Sequence, residues 1–361
     1  MRGFMRGSDT VRHEIPHATT SSEDHGRKTM QLMFRLLRRL PVEESRTADQ
    51  LAQELGVTRA EVAQAVEEAR EYGVEIQTHR GRGYFLPGSI DWLDEPQVHH
   101  AMGECGARYQ LRILDEVIST NDVVLAEAAR ALTGRLAVAA ELQAGGRGRR
   151  GRRWNSGLGN ALTFSILYRF SQPNSALSAS SLVVGVALMR ALNELGVREV
   201  LLKWPNDLIA PNGKLGGVLI ETLGERGSLS TIVIGIGLNV RLPGRLEASI
   251  DQPVVDLYRL GVRTQRSIIL GVCLRHVDET MAQFEAEGFS NLRQEWTAHA
   301  AYIAQPVVLT HAHGELETGV MVGIAADGAL VLTTVKGQQK LYSGDISLRS
   351  ISAPHTPSAQ P

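Results

Sequence analysis

KLGGVLIETLGERGSLSTIVIGIGLNV, Lys214–Val240, is the stretch whose reading decides the fold. Its halves, KLGGVLIETL and STIVIGIGLNV, are β-branched apolar runs bounded by turns. Apolar runs of this kind belong to strands covered on both faces. GERGS between them reads as the turn of a hairpin. The flanks extend the pattern. LAVAAELQ (136–143) and EVLLKW (199–204) are further strand-like runs. ALSASSLVVGVALMRALNELG (176–196) is an amphipathic helix stopped by Gly196, and QRSIILGVCLRHVDETMAQFEAEGF (265–289) returns to helix. Residues 109–303 are therefore expected to form an α+β domain around a mixed sheet. Residues 304–350 alternate short runs with turns, which suggests a small antiparallel barrel.

Toward the N-terminus, residues 28–87 read as one small unit. Met30, Met33, Phe34, Leu37 and Leu40 fall at helical steps on one face. TADQLAQELGVTRAEVAQAVEEAREYGV (47–74) then gives a short helix ending at Gly56 and a second helix capped by Thr58, with Glu61 completing a capping box. Two helices about a glycine-containing turn make a helix-turn-helix. VEIQTHRGRGYFLP (74–87) supplies two strands around a basic turn, the wing of a winged version. A small helical docking domain is the plainer alternative. The second helix carries Glu61, Glu67, Glu68 and Glu71 against Arg59 and Arg70, the wrong balance for phosphates. Residues 88–108 have no clear period and read as a linker; residues 1–27 and 351–361 read as disordered polar tails.

Composition narrows the function. The 361 residues hold 38 Lys+Arg against 39 Asp+Glu, so nucleic-acid contact requires a local patch. Two cysteines, Cys105 and Cys273, form no CxxC pair, which fits a reducing cytoplasm and argues against a disulfide framework or a zinc site. No segment reaches the ~18 apolar residues of a membrane span, and the N-terminus lacks the apolar core of a secretory signal.

QAGGRGRRGRRW, Gln143–Trp154, is the local patch: five arginines, four glycines and no acid. It matches neither a Walker loop nor a dinucleotide fingerprint. It reads either as a solvated or RNA-contacting basic loop, or as a lid. In the second reading glycines let the backbone close on a ligand and arginines meet phosphate and carboxylate oxygens. LKWPNDL (202–208) places Asn206 and Asp207 at a strand end, and Lys214 follows beside Gly216 and Gly217. Alone, Lys214 reads as a surface lysine in a turn, and STN (119–121) as an ordinary helix N-cap.

Together these pieces resemble the bifunctional biotin protein ligases that also act as biotin operon repressors. The resemblance rests on STN, Q…GRGRRGRRW, KWPND (203–207), KLGGVLIE (214–221), GIGLNV (235–240) and DGALVLTT…YSGDISLRS (327–350), and covers roughly 28–350. It implies a central ligase domain like that of class II aminoacyl-tRNA synthetases and an SH3-like C-terminal barrel. It implies that ATP and Mg²⁺ convert biotin to biotinyl-5′-AMP, which a lysine of the biotin carboxyl carrier protein of acetyl-CoA carboxylase then attacks. Carried over, Ser119, Thr120, Asn121 and Gln143 contact the biotin head group. Arg147, Gly148 and Arg149 belong to the biotin-binding loop, and Lys214 faces the biotin carboxylate and adenylate phosphate, with Lys214 and Arg149 as the catalytic pair. Trp154 offers a face for adenine, and Asn206, Asp207 and Asn239 are polar contacts to nucleotide, Mg²⁺ or Lys214; the metal ligands are not assigned. The family also implies a homodimer when the adenylate is bound, binding operator DNA through residues 28–87. A DNA-binding regulator whose ligase half only senses biotin is the alternative.

Overall fold

The computed structural model describes residues 21–79, 81–129, 134–170, 177–226, 229–310, 316–342 and 347–350. They fall into two compact units, the first ending at Pro87 and the second beginning at Gly88, with Tyr72–Val74 also counted to the second.

The first unit contains α1 (Ser21–Leu37), α2 (Ala48–Leu55), α3 (Arg59–Glu71) and the hairpin β1 (Gln77–His79) and β2 (Gly83–Phe85). Both expected punctuation marks are present. Gly56 closes α2 at φ 69°, a left-handed conformation natural to glycine. Thr58 and Glu61 make the reciprocal capping box that starts α3. A second box, Thr47 with Gln50, starts α2. One boundary is corrected: α1 begins at Ser21, inside the stretch read as a tail. Once a turn is nucleated, each further residue adds a hydrogen bond at little cost, so a helix extends beyond its apolar stretch. Residues 1–20 and 351–361, and Arg80 of the wing, lie outside the described residues.

The second unit opens with α4 (Glu95–Met102), where the sequence reads as a linker. Asp94 caps this helix through Gln97 N at 2.9 Å, and Val98 and Met102 are fully buried. Gly271 lets α4 approach: a Cβ there would stand 2.5 Å from Val98 O and from the Ala101 Cβ. The helix escapes sequence detection because its eight residues hold too few core positions to show a period.

Next come β3 (Tyr109–Val117), α5 (Thr120–Ala129), β4 (Arg135–Gln143), β5 (Ala161–Arg169), α6 (Ser180–Glu194), β6 (Leu201–Lys203), β7 (Asp207–Ala210), β8 (Gly213–Arg226), β9 (Leu229–Asn239), α7 (Gly244–Glu247), α8 (Arg266–Glu287) and α9 (Ser290–Ala298). The strands form one seven-stranded sheet in the order β3-β4-β5-β9-β8-β7-β6. β3 and β4 are parallel and all other neighbours antiparallel, the expected mixed sheet. Both faces are covered. Leu136, Val138, Leu167 and Val233 pack with Val124 of α5, while Ala137, Ala139, Phe164, Ile166 and Ile234 share the larger core with α6 and α8. Alternate residues of one strand thus enter different cores, which is why these strands show continuous apolar runs.

Arg266 and Glu141 form a fully buried ion pair at 2.5 Å. Arg266 also donates to Asp91 O and to Ala161 O, and Glu141 accepts Leu93 N, so the entry to α4 is tied to β4, β5 and α8. Removing one member of such a pair strands a buried charge and costs about 3–5 kcal/mol.

The chain ends in a five-stranded antiparallel sheet of β10 (Pro306–Thr310), β11 (Leu316–Ile324), β12 (Leu330–Thr334), β13 (Gly337–Leu341) and β14 (Ser347–Ser350), in the order β13-β12-β11-β10-β14. Its buried residues Val307, Leu309, Met321, Leu332 and Leu348 join the core of the larger sheet. The antiparallel arrangement is as expected; among the described residues no pairing of β13 with β14 closes it into a barrel.

Cys273 is wholly buried, and burial pushes its thiol up to about 12; burial also raises Cys105. Neither is a nucleophile near neutrality. Titration with an aromatic disulfide reagent is expected to find almost no reactive thiol in the native chain and both after denaturation.

Candidate active site

A cleft of about 150 Å³ opens in the second unit, bounded by the start of α5, the loop after β4, the β6–β7 turn, the first half of β8 and the second half of β9. Its floor is made by omission. Gly235 and Gly237 stand two apart on β9 and face the same side. A Cβ on Gly235 would lie 2.3 Å from Asn121 Oδ1, and one on Gly237 2.5 Å from a ring carbon of Trp154. The sheet therefore yields its own side-chain volume to two residues brought from elsewhere.

One end of the cleft is neutral and hydrogen-bonding. Ser119, Thr120 and Asn121 are buried where β3 passes into α5. Thr120 donates to Gln143 Oε1 from its backbone N (2.8 Å), with its hydroxyl 3.0 Å from the same oxygen. The Thr120 hydroxyl lies 2.6 Å from Ser165 Oγ, which donates to Asn121 Oδ1 at 2.5 Å. Asn121 Nδ2 in turn donates to Glu221 Oε2 at 2.5 Å. The four residues expected to contact the head group all line the cleft. Ser165 and Glu221, which orient them, received no role from the sequence. Their signal was a small hydroxyl within an apolar strand, and an acid following the apolar run GGVLI.

The Gly/Arg loop forms a small hairpin. Gly148 N donates to Arg152 O (2.7 Å), Trp154 N donates to Gly146 O (2.8 Å), and Arg149–Gly151 makes one tight turn. Arg150 holds φ 62° at the tip, a left-handed conformation strained for a side-chain-bearing residue. Its root is anchored: Arg147 makes a forked pair with Asp122 (2.5 and 3.2 Å) and lies 3.6 Å from Glu221. Asp122, adjoining STN, is a further residue sequence reasoning missed. Arg147, Gly148, Arg149 and Trp154 all line the cleft. Trp154 Nε1 is buried without an acceptor among the described residues.

The opposite wall is cationic. Among the lining residues Asp207 is the single carboxylate, facing Lys203, Lys214 and the loop arginines. Lys214 Nζ is 2.6 Å from Asp207 Oδ1, and Lys203 Nζ is 3.9 Å from Oδ2. The β6–β7 turn, with a cis Trp204–Pro205 bond, sets Asp207 in place. Trp204 is buried and donates to Gly328 O at 3.2 Å, fastening the turn to the C-terminal sheet. Asn206 lines the cleft but spends its amide N–H on Val218 O at 2.7 Å. Asn239 is not among the lining residues. It is buried and donates to Lys214 O (3.2 Å) and Val255 O (3.1 Å), so it supports the backbone that carries Lys214. Of the contacts expected of it, to nucleotide, Mg²⁺ or Lys214, it makes the one to Lys214.

The geometry suits a ligand with a neutral polar head and an anionic tail, beside a second anionic group. Gly237→Ala cannot keep the indole in place. Its near-ultraviolet circular dichroism is expected to change while the far-ultraviolet spectrum stays that of the parent; an unchanged aromatic signal would contradict the packing of Trp154 on Gly237.

Residues 115–239 match the Biotin/lipoate A/B protein ligase family, 302–349 the Biotin protein ligase C terminal domain and 33–85 an HTH domain. The bifunctional ligase/repressor BirA of Salmonella typhimurium is 34% identical over 307 residues, 85% of this chain and 94% of that protein. The Escherichia coli protein of the same name is 33% identical over the same shares. A biotin protein ligase from Aquifex aeolicus, solved in complex with biotin and ATP, is 28% identical with a TM-score of 0.55, covering 67% of this chain and 99% of that one. The chain belongs to the family of bifunctional BirA-type biotin ligase/repressors.

Proposed function

We infer that this chain is an ATP-dependent biotin–protein ligase. The observation that carries the reading is one cleft holding a neutral hydrogen-bonding pocket and a cationic wall, with Lys214 of β8 in that wall beside Asp207. The ureido ring of biotin has two N–H donors and a carbonyl, which the hydroxyls and amides of Ser119, Thr120, Asn121 and Gln143 match. The biotin carboxylate then points toward the cations.

In the first step a carboxylate oxygen attacks the α-phosphorus of ATP, the bond to the β-phosphate bridging oxygen breaks, and pyrophosphate leaves. Two anions must meet. Lys214 lowers their repulsion and stabilises charge that grows in the transition state. Asp207 holds the ammonium in position beforehand, so little reorganisation is needed. Trp154 presents its ring to adenine, a contact worth roughly 1–3 kcal/mol by analogy with base stacking. Mg²⁺ fits as an ion carried by the triphosphate. No group of three acidic, His or Cys ligands exists among the described residues, and one carboxylate, Asp207, with phosphate oxygens is a usual Mg²⁺ arrangement. In the second step the neutral amine of a carrier lysine attacks the acyl carbon, AMP leaves, and an amide forms. Arg147, Gly148 and Arg149 close over the mixed anhydride and keep water out.

We assign the acceptor as a biotin carboxyl carrier protein, residues 109–303 and 304–350 as the ligase and its C-terminal domain, and residues 28–87 as the DNA-binding domain of a biotin-responsive repressor that acts as a homodimer when the adenylate is bound. Two buried thiols suit a reducing cytoplasm; no helix among the described residues is long and apolar enough to cross a membrane.

Transfer of labelled biotin to a carrier domain is the direct test: ATP-dependent labelling is expected, and none would leave a sensor that only binds biotin. Lys214→Ala is expected to slow adenylate formation by ~10²–10³ with melting unchanged. Arg149→Gly is expected to form the adenylate but release it faster than the parent; equal dissociation rates would remove Arg149 from the lid.

A further inference from the structure

The winged helix looks too acidic for DNA until its acids are placed one by one. Glu61 is folded onto the start of its own helix, where Oε2 accepts from Thr58 N and from the Thr58 hydroxyl at 2.7 Å each. Glu67 is paired with Arg70 at 2.5 Å. Arg70 is engaged inside the domain as well, donating to Ile76 O (2.8 Å) and Thr78 Oγ1 (3.0 Å). Glu68 is half-buried, and Glu71 ends the helix. The acidity of α3 is thus either used as a cap or gathered toward its C-terminal half.

The N-terminal half presents a different surface. Val62, Ala65, Val66 and Ala69 face the core. That leaves Arg59, Ala60 and Gln64 exposed and Ala63 half-exposed beside them. Arg59 lies 3.1 Å from Asp49, but both side chains are mostly exposed (71% and 67%). Such a pair is worth little and exchanges readily for another acceptor. In helix-turn-helix domains the N-terminal residues of the second helix meet base edges in the major groove. The residue types suit that place. A glutamine amide matches the N6 and N7 edge of adenine, a guanidinium matches O6 and N7 of guanine, and an alanine methyl packs on the methyl of thymine. Two alanines also let the helix backbone sit deep in the groove.

We propose that Arg59, Ala60, Ala63 and Gln64 form the base-reading surface of this chain, with Gln64 selecting adenine at one A·T pair in each half-site. The inference rests on the reading of residues 28–87 as a DNA-binding domain and adds which side chains give it sequence preference. Phosphate contact must come from elsewhere. Arg39 and Arg46 share Glu54, whereas Arg82 stands exposed beside the β1–β2 turn.

The test uses the full-length protein with biotin and ATP, and a randomised duplex library as probe. Sequences enriched by the parent are compared with those enriched by Gln64→Ala, Gln64→Arg and Arg82→Ala, with thermal melting as the check on folding. Gln64→Ala is expected to lose roughly 5- to 150-fold discrimination at one A·T position without altering the salt dependence. Gln64→Arg is expected to shift that position toward G·C. Arg82→Ala is expected to weaken all sequences alike and to reduce the salt slope by about 1. If the parent enriches a sequence and both Gln64 variants enrich the same one, the assignment is overturned while DNA binding stands. If the parent enriches none, both readings fall together.

Discussion

A sheet covered on both faces has no natural room for a ligand, and the site exists because β9 gives up side chains where it crosses the cleft. Gly235 admits Asn121 and Gly237 admits Trp154, each within a distance that a Cβ would forbid. Gly217 on β8 sits against Lys214 and Asp207 with ordinary contact to spare. The neutral pocket, the aromatic face and Lys214 therefore converge on one patch of bare backbone. Everything else in the site supports that convergence. Ser165 and Glu221 orient Asn121, and Asn239 holds the carbonyl of Lys214.

Electrostatics then divides the cleft. Asp207 sits between Lys203 and Lys214, so part of the cationic wall is neutralised internally and Lys214 is held in one place. The loop uses the opposite arrangement. Its first arginine is spent on Asp122 and Glu221, while its tip turns through the left-handed Arg150 and Gly151. The loop thus combines a root fixed by two acids with a strained tip. The C-terminal sheet belongs to the same construction, because Gly328 accepts the indole of Trp204 in the turn that positions Asp207.

Much of this was legible because local physics wrote it. The two-sided burial of β4 and β9 shows as apolar runs, the caps at Gly56 and Thr58 show as single letters, and the cations of the cleft show as a cluster in one loop and a lysine after a Pro-Asn-Asp turn. What the linear order did not display has a common cause. α4 is short, so its two core residues, Val98 and Met102, carry no period. Asn239 ends the strand that floors the site, yet its amide turns away into the backbone of Lys214 and Val255. Asp122, Ser165 and Glu221 act through partners between 25 and 100 residues away, at separations the linear order does not display.

The sequence by itself determined the kinds of element, their order and the chemical types available to the site, since periodicity, turn residues and charge are local properties of a chain. Tertiary structure decided which of those groups meet. It paired Lys214 with Asp207, joined Ser165 and Glu221 to Asn121, and withdrew Asn239 from the cleft. Each outcome depends on distances of a few ångströms between residues remote in sequence or on the direction of one side chain, and both are set when the elements pack rather than when they form.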